Sequence, residues 1–310
     1  MHVVSSMSYP EVMSYSLRYA LGVVIALTAL FLPGCCHTVT GPPGNGGALR
    51  WQDPGPSSES PTVIDCKGAE RGPLHITKSN VTVRNCHIKG EVRIYGLARN
   101  ANNAVYYDES RKLDYVTWIR GTSPSGTVIE DCTIHNEAGI PLYVGPGCTN
   151  TTIRNVEITG ASPSVMVYLG AESYGTVITG GLIDGREAGR EAVAIDASES
   201  NLLEGVTILY DPSYGGVFAY RNCGEAGIPR HTTPRGNVLR RITFSGGGTA
   251  VYWGSREGSR CFCDLDADAD VGSGKSDRDH ADNNMVENCD LGGGVVKVGE
   301  FSHNNYVVDD

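Results

Sequence analysis

The chain has 310 residues, 40% of them hydrophobic, and a formal net charge of −10. This length and apolar content allow a sizeable core, and the acidic balance argues against nucleic acid as a partner because phosphate binding needs a basic surface. Forty glycines and only five phenylalanines favour many short strands and tight turns over large helices packed through aromatic side chains.

The N-terminal region has the composition of an export signal followed by a tether. Arg18 precedes a charge-free, largely apolar stretch at 20–32, which is too short to span a membrane comfortably and suits the core of a signal peptide. We predict a signal peptide of the lipoprotein type at 1–34, a flexible Pro/Gly/Ser-rich tether at 35–61 and one folded domain at 62–310.

The end of this signal contains a candidate lipidation site. Leu32, Pro33, Gly34 and Cys35 resemble a bacterial lipobox, and the resemblance implies that Cys35 is lipidated and becomes the mature N-terminus. Plain secretion is the alternative. Both routes predict an exported protein, either secreted or lipid-anchored at the bacterial cell envelope, and we expect contact with a membrane only through an N-terminal lipid anchor.

A short segment recurs along the folded domain at a nearly fixed interval. Its seven copies lie at 83–88, 129–134, 153–158, 178–183, 203–208, 239–244 and 286–291. From 129 to 203 the copies begin 24, 25 and 25 positions apart, which is a period typical of solenoids. The gaps of 46 and 47 positions elsewhere predict two turns each, and one gap of 36 remains.

Each copy alternates apolar and polar residues, which predicts a short strand with one buried face. The third residue is Asn, Asp or Gly, with Arg241 as the exception, and these residues tolerate the left-handed backbone of a tight turn. A second apolar strand follows each copy, as at 142–144 and 193–196. Two or three strands per turn of roughly 24 residues predict a single-domain, all-β parallel β-helix of about 8–10 coils.

The repeated segments resemble those of the right-handed parallel β-helix superfamily, which includes pectate lyases, polygalacturonases and phage tailspikes. The resemblance covers about residues 62–310 and implies the fold. It leaves the activity open, because this scaffold hosts several chemistries and also proteins that only bind.

The second strands predict a binding surface. If they lie in register, one side chain from each coil joins a column with a spacing of about 5 Å. Aromatic faces stack on sugar rings, so such a column predicts polysaccharide binding. The candidate substrate-binding residues are Tyr143, Tyr168, Tyr220, Trp253, Lys297 and Arg256, with Asp196 at an equivalent place. The alternative is that some of them point inward, since Trp253 and Tyr252 cannot both face out.

The segment after Tyr220 is the densest polar cluster outside the repeats. Its candidate catalytic residues are Arg221, Glu225, Arg230 and His231. β-Elimination in a uronic-acid polymer needs a base, here Glu225 or His231, and cations that neutralise the sugar carboxylate, here the two arginines. Hydrolysis instead needs two carboxylates, for which Asp196 and Glu225 are the candidate pair. A solvated loop is the non-functional alternative.

Ten cysteines suit an exported protein, in which disulfides persist. Cys86, Cys132 and Cys289 occupy the same position in their segments, and we predict that they pack inside as small apolar residues. Cys223, Cys261 and Cys263 lie outside the repeats, where we expect a disulfide that pins a loop, with no pairing assigned.

A run of alternating acidic residues is a candidate calcium loop. Its members are Asp264, Asp266, Asp268 and Asp270. Oxygen-rich side chains suit Ca²⁺, but an EF-hand beginning at Asp264 would need glycine and glutamate where Ala269 and Lys275 stand. A looser calcium loop and a solvated acidic loop are the two alternatives.

These features lead to one preferred hypothesis and two alternatives. The preferred one is an exported β-helix protein that binds an acidic polysaccharide and, if it is an enzyme, cleaves it by β-elimination. The first alternative is a non-catalytic, cell-surface carbohydrate-binding or adhesion module, and the second is a glycoside hydrolase that uses Asp196 and Glu225.

Overall fold

The computed structural model describes residues 60–96, 112–221, 232–254 and 280–309. Within these ranges the chain forms three parallel sheets, and up to residue 253 successive strands join sheets 1, 2 and 3 in turn. Each coil therefore contributes one strand to each sheet. This is the architecture of a parallel β-helix, as the repeats predict.

The strands are short, and we number them in chain order. Sheet 1 has the order β1 (Thr62–Asp65), β4 (Val81–Arg84), β7 (Val128–Glu130), β10 (Thr152–Arg154), β13 (Val177–Thr179), β16 (Leu202–Glu204), β19 (Val238–Arg240), β22 (Met285–Glu287) and β24 (Tyr306–Val308). Sheet 2 has the order β2 (Glu70–Arg71), β5 (His87–Lys89), β8 (Thr133–His135), β11 (Glu157–Thr159), β14 (Leu182–Gly185), β17 (Thr207–Tyr210) and β20 (Thr243–Ser245).

Sheet 3 has eight strands in the described ranges. From the first coil to the last it contains β3 (Leu74–Ile76), β6 (Val92–Ile94), β9 (Leu142–Val144), β12 (Val167–Leu169), β15 (Val193–Asp196), β18 (Val217–Tyr220), β21 (Thr249–Trp253) and β23 (Val295–Val298). Among the described residues the helix α1 (Lys112–Thr122) lies between β6 and β7, and its Ile119 is buried.

The strand register confirms the interval of the regular coils and corrects the long gaps. Ile153 pairs with Ile129 and with Ile178, which are 24 and 25 positions away. β4 pairs directly with β7, and β19 pairs directly with β22. The gaps of 46 and 47 positions are therefore single coils with long insertions, and the prediction of two turns for each was wrong.

The apolar residue that opens each repeat points into the core. Seven such residues stack through sheet 1 and are at most 2% exposed: Val83, Ile129, Ile153, Ile178, Leu203, Leu239 and Val286. A matching stack of isoleucines continues through sheet 2 from Ile88 to Ile208 and ends at Phe244. Because every coil adds to both stacks, the apolar face of each coil is buried by its neighbours.

In every repeat the turn from sheet 1 to sheet 2 contains a residue in the left-handed backbone conformation. The third residues of the seven copies all have φ between 50° and 62°: Asn85, Asp131, Asn155, Gly180, Gly205, Arg241 and Asn288. Arg241 adopts this conformation although a β-carbon disfavours it. The predicted turn is thus confirmed, including at the exception. Asn155 also donates to the Asp131 carboxylate of the previous coil at 2.7 Å.

The turn from sheet 3 to sheet 1 contains a buried asparagine ladder that the sequence analysis missed. Its rungs are Asn201, Asn237, Asn284 and Asn305. The backbone N–H and the side-chain amide of each of the first three residues donate to the side-chain oxygen of the next, at 2.7–3.0 Å. The ladder satisfies polar groups inside the solenoid, where an unpaired amide would be costly.

The cysteines differ from the prediction at one position. Cys86 forms a disulfide with Cys66 of the preceding coil, so it is not a free apolar filler. Cys132 is a buried free thiol, and Cys289 is a half-buried one. Cys223, Cys261 and Cys263 lie outside the described residues.

Candidate functional site

The outer face of sheet 3 carries one continuous column of side chains. The paired residues from the first coil to the last are His75, Arg93, Tyr143, Tyr168, Ala194, Phe218, Tyr252 and Lys297. All but Ala194 are aromatic or cationic. We call this set the sheet-3 column. Each member lies between two strand residues that face the opposite way, because side chains alternate along a strand.

The first half of the column is a stack. The Arg93 guanidinium lies 5.0 Å from the centre of the Tyr143 ring, and the Tyr143 and Tyr168 rings are parallel with centroids 5.2 Å apart. Arg93 is also paired with Glu91 at 2.6 Å. Both faces of Tyr143 are therefore covered by neighbours in the column, so a ligand would meet the edge of this ring rather than its face.

The second half of the column is packed through an apolar cluster. Phe218 and Tyr252 meet edge to face with centroids 5.7 Å apart. Between Tyr168 and Phe218 stands the small side chain of Ala194, which is fully buried together with Val165 and Tyr220. This cluster lies outside the solenoid core and joins the two halves of the column.

Ionisable side chains are buried beside the column. Asp196 is 0% exposed and accepts a hydrogen bond of 2.5 Å from the Tyr168 hydroxyl. In the neighbouring coil Asp196 pairs in register with Tyr220, whose hydroxyl donates to Glu191 Oε1 at 2.9 Å. Buried charges require partners, so these phenol groups are part of what stabilises the carboxylates.

Arg190 completes this arrangement. Its Nη2 lies 2.8 Å from Glu191 Oε1 and donates to the Tyr220 hydroxyl at 2.8 Å. Burial alone would lower the pKa of the Arg190 guanidinium, but the Tyr220 and Glu191 oxygens outweigh this effect and raise it. The guanidinium is therefore firmly charged. We call Arg190, Glu191, Asp196, Tyr220 and the adjacent buried Arg221 the polar cluster.

A second ionic group lies in the turn after sheet 3. Glu199 is paired with Arg120 of α1 and with Arg235, each at 2.5 Å. Arg120 also donates to the backbone oxygen of Glu172, a buried residue with a left-handed φ of 58°. These contacts attach α1 to two successive coils next to the polar cluster.

The structure brings several predicted residues together and separates one. Tyr143, Tyr168 and Lys297 lie in the sheet-3 column, and Asp196 and Tyr220 lie two residues further along their strands on the same face. Trp253 pairs with Ala219, is 0% exposed and packs in the solenoid core. Its assignment to the column is corrected, because it is Tyr252 that faces outward.

The other predicted site residues lie outside the described residues. They are Glu225, Arg230, His231 and Arg256, the acidic residues Asp264, Asp266, Asp268 and Asp270, and Cys35. Of the proposed catalytic residues, Asp196 and Arg221 are thus the two that the structure describes.

Sequence reasoning missed five members of the column: His75, Arg93, Ala194, Phe218 and Tyr252. A signal was present, because each stands between two small or apolar residues, as in Val92-Arg93-Ile94, Val217-Phe218-Ala219 and Val251-Tyr252-Trp253. Aligning the strands on this pattern, rather than on their last aromatic residue, gives the observed register. Glu191 and Arg190 carried no such signal, since they precede their strand.

The described residues contain no group of three or more His, Cys, Asp or Glu side chains arranged to hold a metal ion. In the same ranges no helix has the length and apolar character needed to cross a membrane. Neither a protein-family model, nor a curated protein, nor a solved structure matches this chain. The case for a function therefore depends on the geometry of the sheet-3 column and the polar cluster.

Proposed function

We propose that this protein binds an extended, negatively charged polysaccharide along the sheet-3 column. The observation that carries the proposal is the register of the column, in which seven of eight consecutive outward positions are aromatic or cationic. Paired strands are about 4.8 Å apart, comparable to the length of one pyranose ring, so successive coils offer successive sugars a similar contact.

The chemistry of the column favours an acidic polymer. Arg93 stands near one end of it and the exposed Lys297 at the other, and Arg190 lies beside its centre. Because the faces of Tyr143 are covered, we infer that the central tyrosines contact the sugar through ring edges and that the cations provide the attraction to carboxylates. Such attraction weakens as salt is added.

Binding is tested with the full chain and two matched arginine variants. Arg93→Ala removes a cation from the column, whereas Arg154→Ala removes an equally glutamate-paired cation from the outer face of sheet 1. We expect the first variant to weaken binding to polygalacturonate or alginate about tenfold, which is the effect of ~1.4 kcal/mol. The second should bind like the original protein, and neutral dextran should not bind. Equal losses in both variants would refute the assignment to sheet 3.

β-Elimination is the second candidate function, within the pectate-lyase-like superfamily that the repeats resemble. The observation that favours it is the burial of two ionisable side chains: Asp196, which is 0% exposed and bonds to Tyr168 of the column, and Arg221, which is 1% exposed and directly follows Tyr220. In this proposal Arg221 neutralises the uronate carboxylate, and Glu225 or His231 removes the proton from C5. Asp196 holds the Tyr168 hydroxyl in place at the same point.

The elimination is detected by the ultraviolet absorbance of its unsaturated uronate product. We expect the absorbance to rise with polygalacturonate or alginate. The rate of this rise should be at least a hundredfold lower for Arg221→Lys, which keeps the charge but loses the planar fork. Retained binding without product on either polymer would leave a binding protein and reject the lyase. Reducing ends without unsaturated product would indicate hydrolysis instead.

Export of the protein is a separate proposal. We propose that the protein acts outside the cytoplasm, secreted or attached through a lipid on Cys35. A bacterial host grown with a labelled fatty acid should label the wild-type chain and not Cys35→Ala.

A further inference from the structure

Three cysteines lie on the first three coils of the solenoid. Cys66 and Cys86 form a disulfide between the first two coils, with Cα atoms 4.9 Å apart. Cys132 stands on the third coil at the position equivalent to Cys86, because Arg84 pairs with Glu130 before it and His87 pairs with Thr133 after it. The spacing of adjacent coils therefore separates Cys86 from each of the other two.

The Cys132 sulfur is directed at the neighbouring coil. Its Sγ accepts a hydrogen bond from the backbone N–H of Cys86 at 3.4 Å, and Cys132 as a whole is 3% exposed. Paired strands are about 4.8 Å apart, and disulfides form between Cα atoms about 4.4–6.8 Å apart. A disulfide between Cys86 and Cys132 is thus within the same reach as the one that is present.

We propose that Cys66, Cys86 and Cys132 form a thiol–disulfide exchange site, in which Cys86 changes its partner from Cys66 to Cys132. The Cys132 thiolate attacks Cys86 Sγ, the bond between Cys86 and Cys132 forms, and the bond between Cys66 and Cys86 breaks. The electron pair leaves on Cys66 Sγ, which takes up a proton in place of the one that Cys132 lost. The number of disulfides is unchanged, so no oxidant or reductant is needed.

The two isomers differ in what they fasten. The observed disulfide ties the first coil to the second across 20 positions, whereas the exchanged one ties the second coil to the third across 46. The longer loop contains β6, with Arg93, and the helix α1. Exchange therefore moves the covalent constraint from the loop that contains His75 to the loop that contains Arg93, the next member of the sheet-3 column, and it leaves Cys66 as a half-buried thiol.

Burial raises the pKa of the Cys132 thiol, and the charges of Asp131 and Glu130 raise it further. Hydrogen bonds with the backbone at Cys86 and Glu130 lower it, but the net pKa is raised. The thiolate is the nucleophile, so we expect the exchange to be slow in the folded protein, over minutes to hours. Slow exchange can be followed by trapping free thiols.

The first experiment follows which thiol becomes reactive. The oxidised full-length protein is incubated without reductant, labelled at intervals with N-ethylmaleimide and mapped by mass spectrometry. We expect label to accumulate on Cys66 in the wild type and to be at least tenfold lower in Cys132→Val, which lacks the attacking thiol. Valine is chosen because Val156 occupies the equivalent position in the next coil. Cys148→Ser, which changes another buried free thiol, should label Cys66 like the wild type. No label on Cys66 in the wild type, or equal label in Cys132→Val, would overturn the proposal.

The second experiment isolates the new bond. In Cys66→Ser, oxidised glutathione should produce a peptide linked through Cys86 and Cys132, while Cys148 stays a thiol. Circular dichroism checks that the variant is folded. If the folded variant still has both Cys86 and Cys132 alkylated as free thiols, Cys132 is only a core residue and the exchange site does not exist.

Discussion

The outer faces of sheets 1 and 3 are built on the same coils and carry opposite kinds of side chain. On sheet 1, arginines pair with glutamates of the adjacent coil near the surface, as Arg154 does with Glu130 and Arg240 with Glu287. On sheet 3, aromatic rings contact one another and the carboxylates of Glu191 and Asp196 are removed from water. The scaffold requires only the inward residues, so the contrast is what supports our proposal that sheet 3 is the binding face.

The largest expected difference between the two faces lies in their ion pairs. Glu191→Ala should lower the free energy of unfolding by about 3 kcal/mol, because it removes the buried carboxylate that accepts hydrogen bonds from both Arg190 and the Tyr220 hydroxyl. Glu130→Ala on sheet 1 should cost less than about 1 kcal/mol, since the Arg154 side chain stays largely in water. Urea denaturation followed by circular dichroism measures both. Similar costs would mean that the buried ion pair beside sheet 3 contributes no more to stability than the exposed pair on sheet 1.

A smaller effect should come from the hydrogen bond between Tyr168 and Asp196. Tyr168→Phe keeps the ring that stacks on Tyr143 and removes the hydroxyl that donates to Asp196, so the free energy of unfolding should fall by about 2 kcal/mol. Tyr174→Phe is the control, because Tyr174 is 42% exposed and keeps its ring beneath Arg120. A loss below about 0.5 kcal/mol for Tyr168→Phe would show that the contact contributes little stability.

The smallest change in the free energy of unfolding is expected in the turn that follows sheet 1, and it is a gain rather than a loss. Arg241→Asn should raise the free energy of unfolding by about 0.5 kcal/mol, because asparagine tolerates the left-handed φ of 50° better than arginine does. The gain is reduced by the loss of the exposed pair between Arg241 and Glu204. Arg240→Asn, one residue earlier and within β19, should be neutral or destabilising. Thermal unfolding of the two variants in parallel decides between these outcomes.

The sequence was sufficient for the parts of the fold that repeat. The inward aliphatic residues and the left-handed turn residues recur in seven copies, so a single coil that breaks the rule, such as the one with Arg241, did not hide the pattern. The insertions did mislead, because a gap of 46 positions equals about two regular coils and only strand pairing shows that β4 neighbours β7.

The candidate site was harder to predict because its residues follow no period of their own. Tyr252 and Trp253 are adjacent aromatic residues, and choosing between them required the pairing of β18 with β21. The polar cluster combines Asp196 from a strand with Arg190 and Glu191 from the loop before it, and only the folded chain brings these to Tyr220. The partner of Cys86 was equally hidden, since spacing does not determine disulfide connectivity.

The asparagine ladder has a consequence for how the protein can change over evolution. Asn201, Asn237 and Asn284 remain stacked although 36 and 47 positions separate them, so each coil finds its register through these amides regardless of the chain length between them. Longer surface loops add little closure entropy, about 0.6 kcal/mol for each doubling. The turns from sheet 3 to sheet 1 can therefore accept new segments beside the sheet-3 face without disturbing the stack, which makes this edge of the solenoid a natural place for surface loops to be acquired, exchanged or lost.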